Sequence, residues 1–595
     1  MAPLKSFLPA LVILAASFAL RAVALDTDAY GRLDWSAGLL TDEGFYTHNA
    51  RNMALYGTAR TDEFNNMLLS PSLHALQAWL MASFGVGVVQ VRWISVLSGT
   101  VGVGLLGAIL WRTVSPLAAL GAMAVLGLDH TSALFSRMAL MDTPAGLGCT
   151  MGLACFAAAL LTRRNRAAWA WLALCGAVLG ATVMNRSLTL YILPAPALAL
   201  LHVAYGMGVR RGRSWVITRL AAYGAALVLV VGGFWLEYIR PNAAEIGPMT
   251  RYYRTRQLQP KSVQHLAGNL QRAAFGDHRG IAPYLFRHAP VPFVLTLVGL
   301  AAAGVGRLRR NAAPSADADA ALARQGVLAF LAAWLACGWL LLAAVAYSPT
   351  RYYISTYPAL AGLAGWALGA LVPNVRRLAT RLPAARFTVA ALTAFIVYHA
   401  VQTLVHRGAP GARGVAMAAL CALPAVAALG WLRWGRPIDL SRRAVPAMVA
   451  LCAVWVMTNG WWLADWGRNL SRSQIEMSQW LGAELPRGSV LIGDVAPGVC
   501  MDNRLVAVNV IDGLCNGDSP VERWAGRPRY VVILDGRWLE KYWTERYSEL
   551  IIPANRVKLA RVLRWDVGVY RVPADYAARA HRVTIGRNSP EGKTG

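Results

Sequence analysis

Long apolar stretches alternate with short basic ones through most of the chain, and polar residues gather in three places. Residues 4–25 form the first apolar stretch, long enough for the roughly 20 residues that a membrane helix needs. Lys5 before the apolar core and Ala22-Val23-Ala24 after it also fit a cleaved signal peptide. Either way the chain beyond residue 25 emerges outside the cytoplasm. Further spans are predicted near 88–111, 115–135, 143–162, 168–184, 187–206 and 215–236. After a polar stretch come 289–305, 326–346, 353–372, 386–405, 414–432 and 444–464.

Between Leu25 and Val88 the pattern shortens to helices that cannot span. One runs from about Glu43 to Tyr56, with Thr41 or Asp42 as N-cap and Gly57 as the stop. A second opens at Pro71 and sets Leu73, Leu76, Leu80 and Phe84 near one face. Helices of this kind lie in the membrane interface, or build a small loop domain outside it.

Composition narrows the class. The chain has 595 residues, 56% apolar and 15% charged, where soluble chains carry roughly 25% charged residues. A soluble enzyme, a disordered chain and a disulfide-framework protein are excluded. The net charge of +28 would suggest nucleic acid in a soluble protein, but here the arginines fall between spans. With the N-terminus inside, every inside loop is basic. They hold Arg112; Arg163, Arg164 and Arg166; Arg210, Arg211 and Arg213; Arg307, Arg309 and Arg310; Arg376, Arg377 and Arg381; and Arg433, Arg436, Arg442 and Arg443. This agreement predicts an α-helical polytopic membrane protein of about 13 transmembrane helices, with its C-terminus outside. Nearly all these arginines need bind only lipid phosphates and water.

The expected organisation is a transmembrane domain over 1–466, with outside loops at 26–87 and 237–288. An extracytoplasmic α/β domain follows over 467–584, then a disordered tail over 585–595. Ser489–Gly493, Leu505–Val510 and Tyr530–Leu534 are rich in β-branched residues and predict strands. Gln474–Glu484 and Leu539–Tyr547 predict helices. Cys149, Cys155, Cys175, Cys337, Cys421 and Cys452 lie in or near spans, where a thiol is a small apolar group. Cys500 and Cys515 lie in the outside domain as two free thiols or as a disulfide, which by chain entropy would contribute about 3 kcal/mol.

Acidic residues are scarce, so their positions are informative. Asp42 and Glu43 open the first short helix, and Asp142 follows Arg137 at the outside junction of the third and fourth spans. Arg186 and Arg351, the latter with Tyr352 and Tyr353, sit at other outside junctions. Arginine forks bind phosphate well, so one membrane face gathers groups able to hold an anionic lipid headgroup beside a base. The plainer alternatives are that Asp42 caps its helix, Arg137 pairs with Asp142, and Arg186 and Arg351 snorkel. Asp42, Glu43 and His48 also have a weak metal-ligand spacing.

The arrangement resembles the GT-C polyprenyl-phosphate-sugar glycosyltransferases, nearest the protein O-mannosyltransferases and the lipid-A aminoarabinose transferases. Thr41-Asp42-Glu43-Gly44-Phe45-Tyr46 is similar to their Asp-Glu loop motif, without the preceding Pro. Leu69-Ser70-Pro71-Ser72-Leu73 resembles the Pro-Pro-Leu that opens the second interfacial helix, with one Pro lost. Ser136–Asp142 resembles the Arg-containing segment that ends in an acidic residue. In 180–194, Met184-Asn185-Arg186 stands where Leu-Thr-Lys is usual, and Arg351-Tyr352-Tyr353 with Pro358 resembles a later basic-Tyr-Pro signature. The resemblance covers roughly residues 1–370.

It implies an inverting transfer of a sugar from a polyprenyl phosphate to an acceptor hydroxyl of lipid A, a cell-wall glycan or a protein. Asp42 would be the general base, with Glu43 or Asp142 orienting it or the acceptor and His48 on the acceptor side. Arg137, Arg186, Arg351 and Tyr352 would hold the donor phosphate. The scheme requires no cofactor; a divalent metal, if used, would fall to Asp42, Glu43 and Asp142. Partners would be the lipid-linked sugar, the acceptor and membrane lipids, with no nucleic acid. The Arg-, Ala- and Gly-rich composition fits the cytoplasmic (inner) membrane of a bacterium, with the site facing outward. A transporter or flippase for a lipid-linked saccharide is the main alternative, although no repeat relates the two halves. A glycan-binding assembly protein is the third.

Overall fold

The computed structural model describes residues 7–33, 38, 40–205, 212–253, 262–275, 288–307, 318–345, 347–379, 444–534 and 540–576. The expected spans 386–405 and 414–432, the terminal 585–595 and Cys421 lie outside the described residues. So do several inside-loop arginines.

The first helices in chain order are α1 (Leu8–Ala22), α2 (Asp42–Tyr56), α3 (Pro71–Phe84), α4 (Val88–Thr113), α5 (Pro116–Leu128) and α6 (His130–Phe135). Then follow α7 (Asp142–Leu161), α8 (Asn165–Asn185), α9 (Pro194–Tyr205), α10 (Arg213–Phe234), α11 (Ala243–Tyr253) and α12 (Val263–Phe275). The helical region closes with α13 (Pro290–Arg307), α14 (Ala318–Ala344), α15 (Tyr357–Ala379) and α16 (Ala444–Arg468). Among the described residues, six helical segments are long and apolar enough to cross a membrane. They are Val88–Thr113, Asp142–Leu161, Asn165–Asn185, Ser187–Tyr205, Arg213–Ile239 and Asp319–Ala344.

Apolar chains packed in lipid gain little from hydrophobic exclusion, so close helix contact relies on small residues. A Cβ on Gly176 of α8 would sit 2.2 Å from the Tyr223 carbonyl oxygen of α10. One on Gly365 of α15 would sit 2.4 Å from the Ala122 amide of α5. These glycines set how near the paired helices come.

The two short helices of the first polar region stand as expected. Gly57 ends α2 in the left-handed conformation (φ 71°), and Pro71 opens α3. The stretch 115–135 differs. It breaks at Asp129, whose carboxylate accepts from the Thr131 amide and so starts a new helix.

After α16 the chain builds a five-stranded sheet with helices α17 (Ser473–Glu484), α18 (Ala496–Val499) and α19 (Glu540–Arg546). Its strands are β1 (Val490–Gly493), β2 (Val506–Asn509), β3 (Arg529–Leu534), β4 (Arg556–Val562) and β5 (Trp565–Arg571), in the order β2-β1-β3-β5-β4. The first three are parallel and β5 runs antiparallel to β3 and β4. Alternate residues serve opposite faces. Leu491, Ala507, Val532 and Leu534 join one core with Leu481 and Val499, while Val490, Ile492, Val508 and Ile533 join another with Trp543.

Cys500 and Cys515 are both free, which corrects the disulfide reading. Cys500 packs in the first of these cores, while the Cys515 thiol lies 3.4 Å from the Asn509 carbonyl oxygen.

This C-terminal unit is seated on α2. Arg51 donates to the carbonyls of Asn503 and Leu505, both at 2.8 Å. Asp502 accepts from the Val88 amide at the start of α4, and Asp28 accepts from Ser473 and the Gln474 amide. The helix carrying Asp42 is thus held between the helical bundle and the sheet.

Candidate functional site

Asp42 and Tyr46 lie one turn apart on α2, so they share a face. That face meets a 3-10 turn, Thr350–Thr356, which leads into α15 and carries Arg351 and Tyr352. Arg351 places one Nη 2.8 Å from the Asp42 carboxylate and donates from the other to the Tyr46 hydroxyl at 3.3 Å. Its guanidinium lies 4.6 Å from the Tyr352 ring centre. The Arg186 guanidinium also lies near this ring, 4.9 Å from the same centre. Arg186 donates to Asp142, the first residue of α7, at 2.8 Å. Two carboxylate–arginine pairs therefore meet at one tyrosine ring.

Burial grades the pairs. The Arg351 side chain is 2% exposed and Asp142 also 2%, whereas Asp42 is 18% exposed and is the most accessible carboxylate here. Asp42 does not cap its helix: Thr41 holds the cap position, and its side chain makes no capping hydrogen bond.

Asn185, next to Arg186, accepts from the amides of Ser72 and Leu73 and so ties the start of α3 to this site.

Three expected site residues lie elsewhere. Glu43 turns away from Asp42 because successive helical side chains point about 100° apart. Its two oxygens take Arg92 in a fork, Nε at 2.7 Å and Nη2 at 2.8 Å, and Oε1 also accepts from the Ala139 amide. Arg92 spends its remaining donor group on the carbonyls of Leu25 and Thr27. This buried knot ties α2 to α4.

Arg137 donates to the carbonyls of Leu20, Arg21, Val23 and Ala24, and packs 4.5 Å from the Trp466 ring centre. It closes the C-terminal end of α1. The expected pairing of Arg137 with Asp142 is likewise replaced by Asp142 with Arg186.

His48 is wholly buried beside Asn52, Phe64 and Asp62, in the junction between α2, the following loop and the sheet unit. Burial, aided by Arg51, pulls its pKa down to about 3. It lies with this loop junction, apart from the Asp42 pairs.

Asp42, Glu43 and Asp142 do not converge as a metal set, since each carboxylate is held by a different arginine. Among the described residues no group of three or more His, Cys, Asp or Glu side chains is placed to hold a metal ion.

Tyr46 and Arg92 were not picked out from the sequence. The signal for Arg92 was present, because an arginine inside an apolar span seeks a buried partner. Tyr46 had the i,i+4 relation to Asp42.

Residues 77–242 match the family model described as dolichyl-phosphate-mannose-protein mannosyltransferase. No curated protein matches the chain in sequence. Among solved structures, the chain is similar to ArnT from Cupriavidus metallidurans bound to undecaprenyl phosphate, at TM-score 0.54 and 18% identity. The match covers 96% of this chain and 98% of that one. The apo state of the same ArnT is similar at TM-score 0.55 and 17% identity, over the same shares of both chains. Over nearly its whole length the chain thus has the fold of ArnT.

Proposed function

We propose that the chain is an inverting membrane glycosyltransferase that moves a sugar from a polyprenyl phosphate to an acceptor hydroxyl on the extracytoplasmic face of a bacterial cytoplasmic membrane. The observation that carries this reading is the meeting of Asp42, Arg351, Tyr352, Arg186 and Asp142 around one ring. A partly exposed carboxylate beside a buried guanidinium suits a base next to a phosphate site.

In the reaction, Asp42 takes the proton of the acceptor hydroxyl while its oxygen bonds to the anomeric carbon. The bond from that carbon to the phosphate oxygen breaks, and polyprenyl phosphate leaves from the opposite face. That displacement inverts the carbon. Arg351 stabilises the charge that builds on the leaving phosphate, an electrostatic contribution that preorganised donors supply at little reorganisation cost. Arg351 is preorganised by its packing between the Tyr46 and Tyr352 rings.

The matched family description names a polyprenyl-type phosphate donor, and ArnT was solved bound to undecaprenyl phosphate; both support a donor of this chemistry. Lipid A, a cell-wall glycan and protein hydroxyls are the acceptor classes consistent with it. The scheme needs no metal.

Native mass spectrometry of the detergent-purified protein tests the reading. The expected result is a co-purifying polyprenyl-phosphate sugar, displaced by added polyprenyl phosphate. Bulk phospholipid alone, even after addition of such donors, would overturn it.

A further inference from the structure

The Asp142–Arg186 pair is joined by one hydrogen bond only, from Nη2 to Oδ1 at 2.8 Å. The other carboxylate oxygen, Oδ2, and the Arg186 Nε–H are both buried and have no hydrogen-bond partner. Leaving such groups unsatisfied costs on the order of 1–3 kcal/mol each, so a native site that contains them calls for a partner.

The partner must donate to Oδ2 and accept from Nε. A phosphate oxygen meets only the second demand, and it would bring negative charge against a carboxylate. A hydroxyl group meets both at once.

The surroundings extend the same demand. Asn185 links the pair to the first turn of α3. Just before it the Ser70 hydroxyl and the Asn66 amide oxygen are likewise buried without hydrogen-bond partners. Tyr46 and Leu73 share an apolar cluster, which brings this strip of α3 against the face of α2 that carries Asp42. Unspent polar groups therefore run from Asp142 along the start of α3, as a polyol site would require.

We infer that Asp142 and Arg186 bind a hydroxyl of the transferred sugar, leaving Arg351 as the phosphate ligand. This rests on the donor reading above and revises the phosphate role that the sequence suggested for Arg186.

The experiment compares two probes on the full-length protein in detergent. One is undecaprenyl phosphate. The other is whichever undecaprenyl-phosphate sugar binds wild type best, from a panel carrying mannose, arabinofuranose, aminoarabinose and galacturonic acid. Asp142→Asn is expected to weaken the sugar-bearing lipid about tenfold, while undecaprenyl phosphate binds as before or tighter, because Arg186 is released. Arg351→Gln is expected to weaken both. Arg186→Lys keeps the positive charge but lacks the Nε fork, and repeats the test where Asp142→Asn folds poorly. Equal weakening of both lipids by Asp142→Asn and Arg186→Lys would mean a phosphate role and overturn the inference. No effect on either lipid would mean a buried water only, and overturn it as well. If wild type binds neither lipid, the donor reading itself fails, and the inference with it.

Discussion

Asp42 and Glu43 adjoin in sequence and differ completely in environment, and the difference is testable residue by residue. Glu43 is fully buried and shares a forked ion pair with Arg92. Removing one partner of a buried pair strands the other charge, at a cost of about 3–5 kcal/mol. Glu43→Ala is therefore expected to lower the unfolding temperature sharply, measured in detergent by intrinsic fluorescence. Asp42→Asn is expected to lower it less, because the partly exposed amide oxygen still accepts from Arg351, which also keeps the Tyr46 hydroxyl and the Tyr352 ring. Its turnover is expected to fall by roughly 10²–10⁴-fold, the range for loss of a general base, while donor binding persists. Equal losses of stability in the two variants would remove the distinction between them. The sequence singled out the Asp-Glu dipeptide but could not separate its members. A helix sends adjacent side chains to different faces, and only the packed structure shows which face meets Arg351 and which meets Arg92.

At the scale of elements, apolar runs located the helices well and located their ends badly. The run 115–135 is continuous in hydrophobicity, yet Asp129 breaks it by capping the next helix. The break also admits Arg21 to the carbonyls of Leu126 and Gly127. Three strands were legible from their β-branched runs because both faces of the sheet are buried there. The hairpin of β4 and β5 was not: Arg556–Val562 alternates polar and apolar residues only as far as Leu559, and Leu559 itself faces solvent. Arg137 shows the same limit. Its sequence position is that of a phosphate ligand, but it serves the end of α1, whose last carbonyls have no partners within the helix. Hydrogen bonds from a charged group are worth about 1.5–3 kcal/mol. Arg137→Met is therefore expected to destabilise the protein by a few kcal/mol while its affinity for undecaprenyl phosphate stays within about twofold. A selective loss of lipid affinity at unchanged stability would return Arg137 to the phosphate site.

For the molecule as a whole, the seating of the sheet unit on the first polar region depends on two buried titratable groups. Asp62 accepts from the Asn509 amide of β2 and the Phe64 amide, and its carboxylate lies 3.9 Å from His48 Nε2. Glu63, Asn516 and Arg51 also act on these two groups. Burial raises the Asp62 pKa to about 7 and lowers that of His48 to about 3. Between pH 4 and 6.5 the folded Asp62 keeps a proton that the unfolded chain has lost, so its contribution to stability falls as pH rises. Over the same window the unfolded His48 carries a proton that the folded one lacks, so its contribution rises with pH. Each slope is about 1.4 kcal/mol per pH unit and the signs oppose, so in wild type they cancel. Single substitutions should expose them. Relative to wild type, Asp62→Asn is expected to gain stability as pH rises from 4 to 6.5, and His48→Gln to lose it. The double variant should again run parallel to wild type. Thermal unfolding at half-unit pH steps reads all four proteins. Single-variant profiles parallel to wild type would show that neither group is held away from its ordinary titration, and that the junction between loop and sheet is open to water.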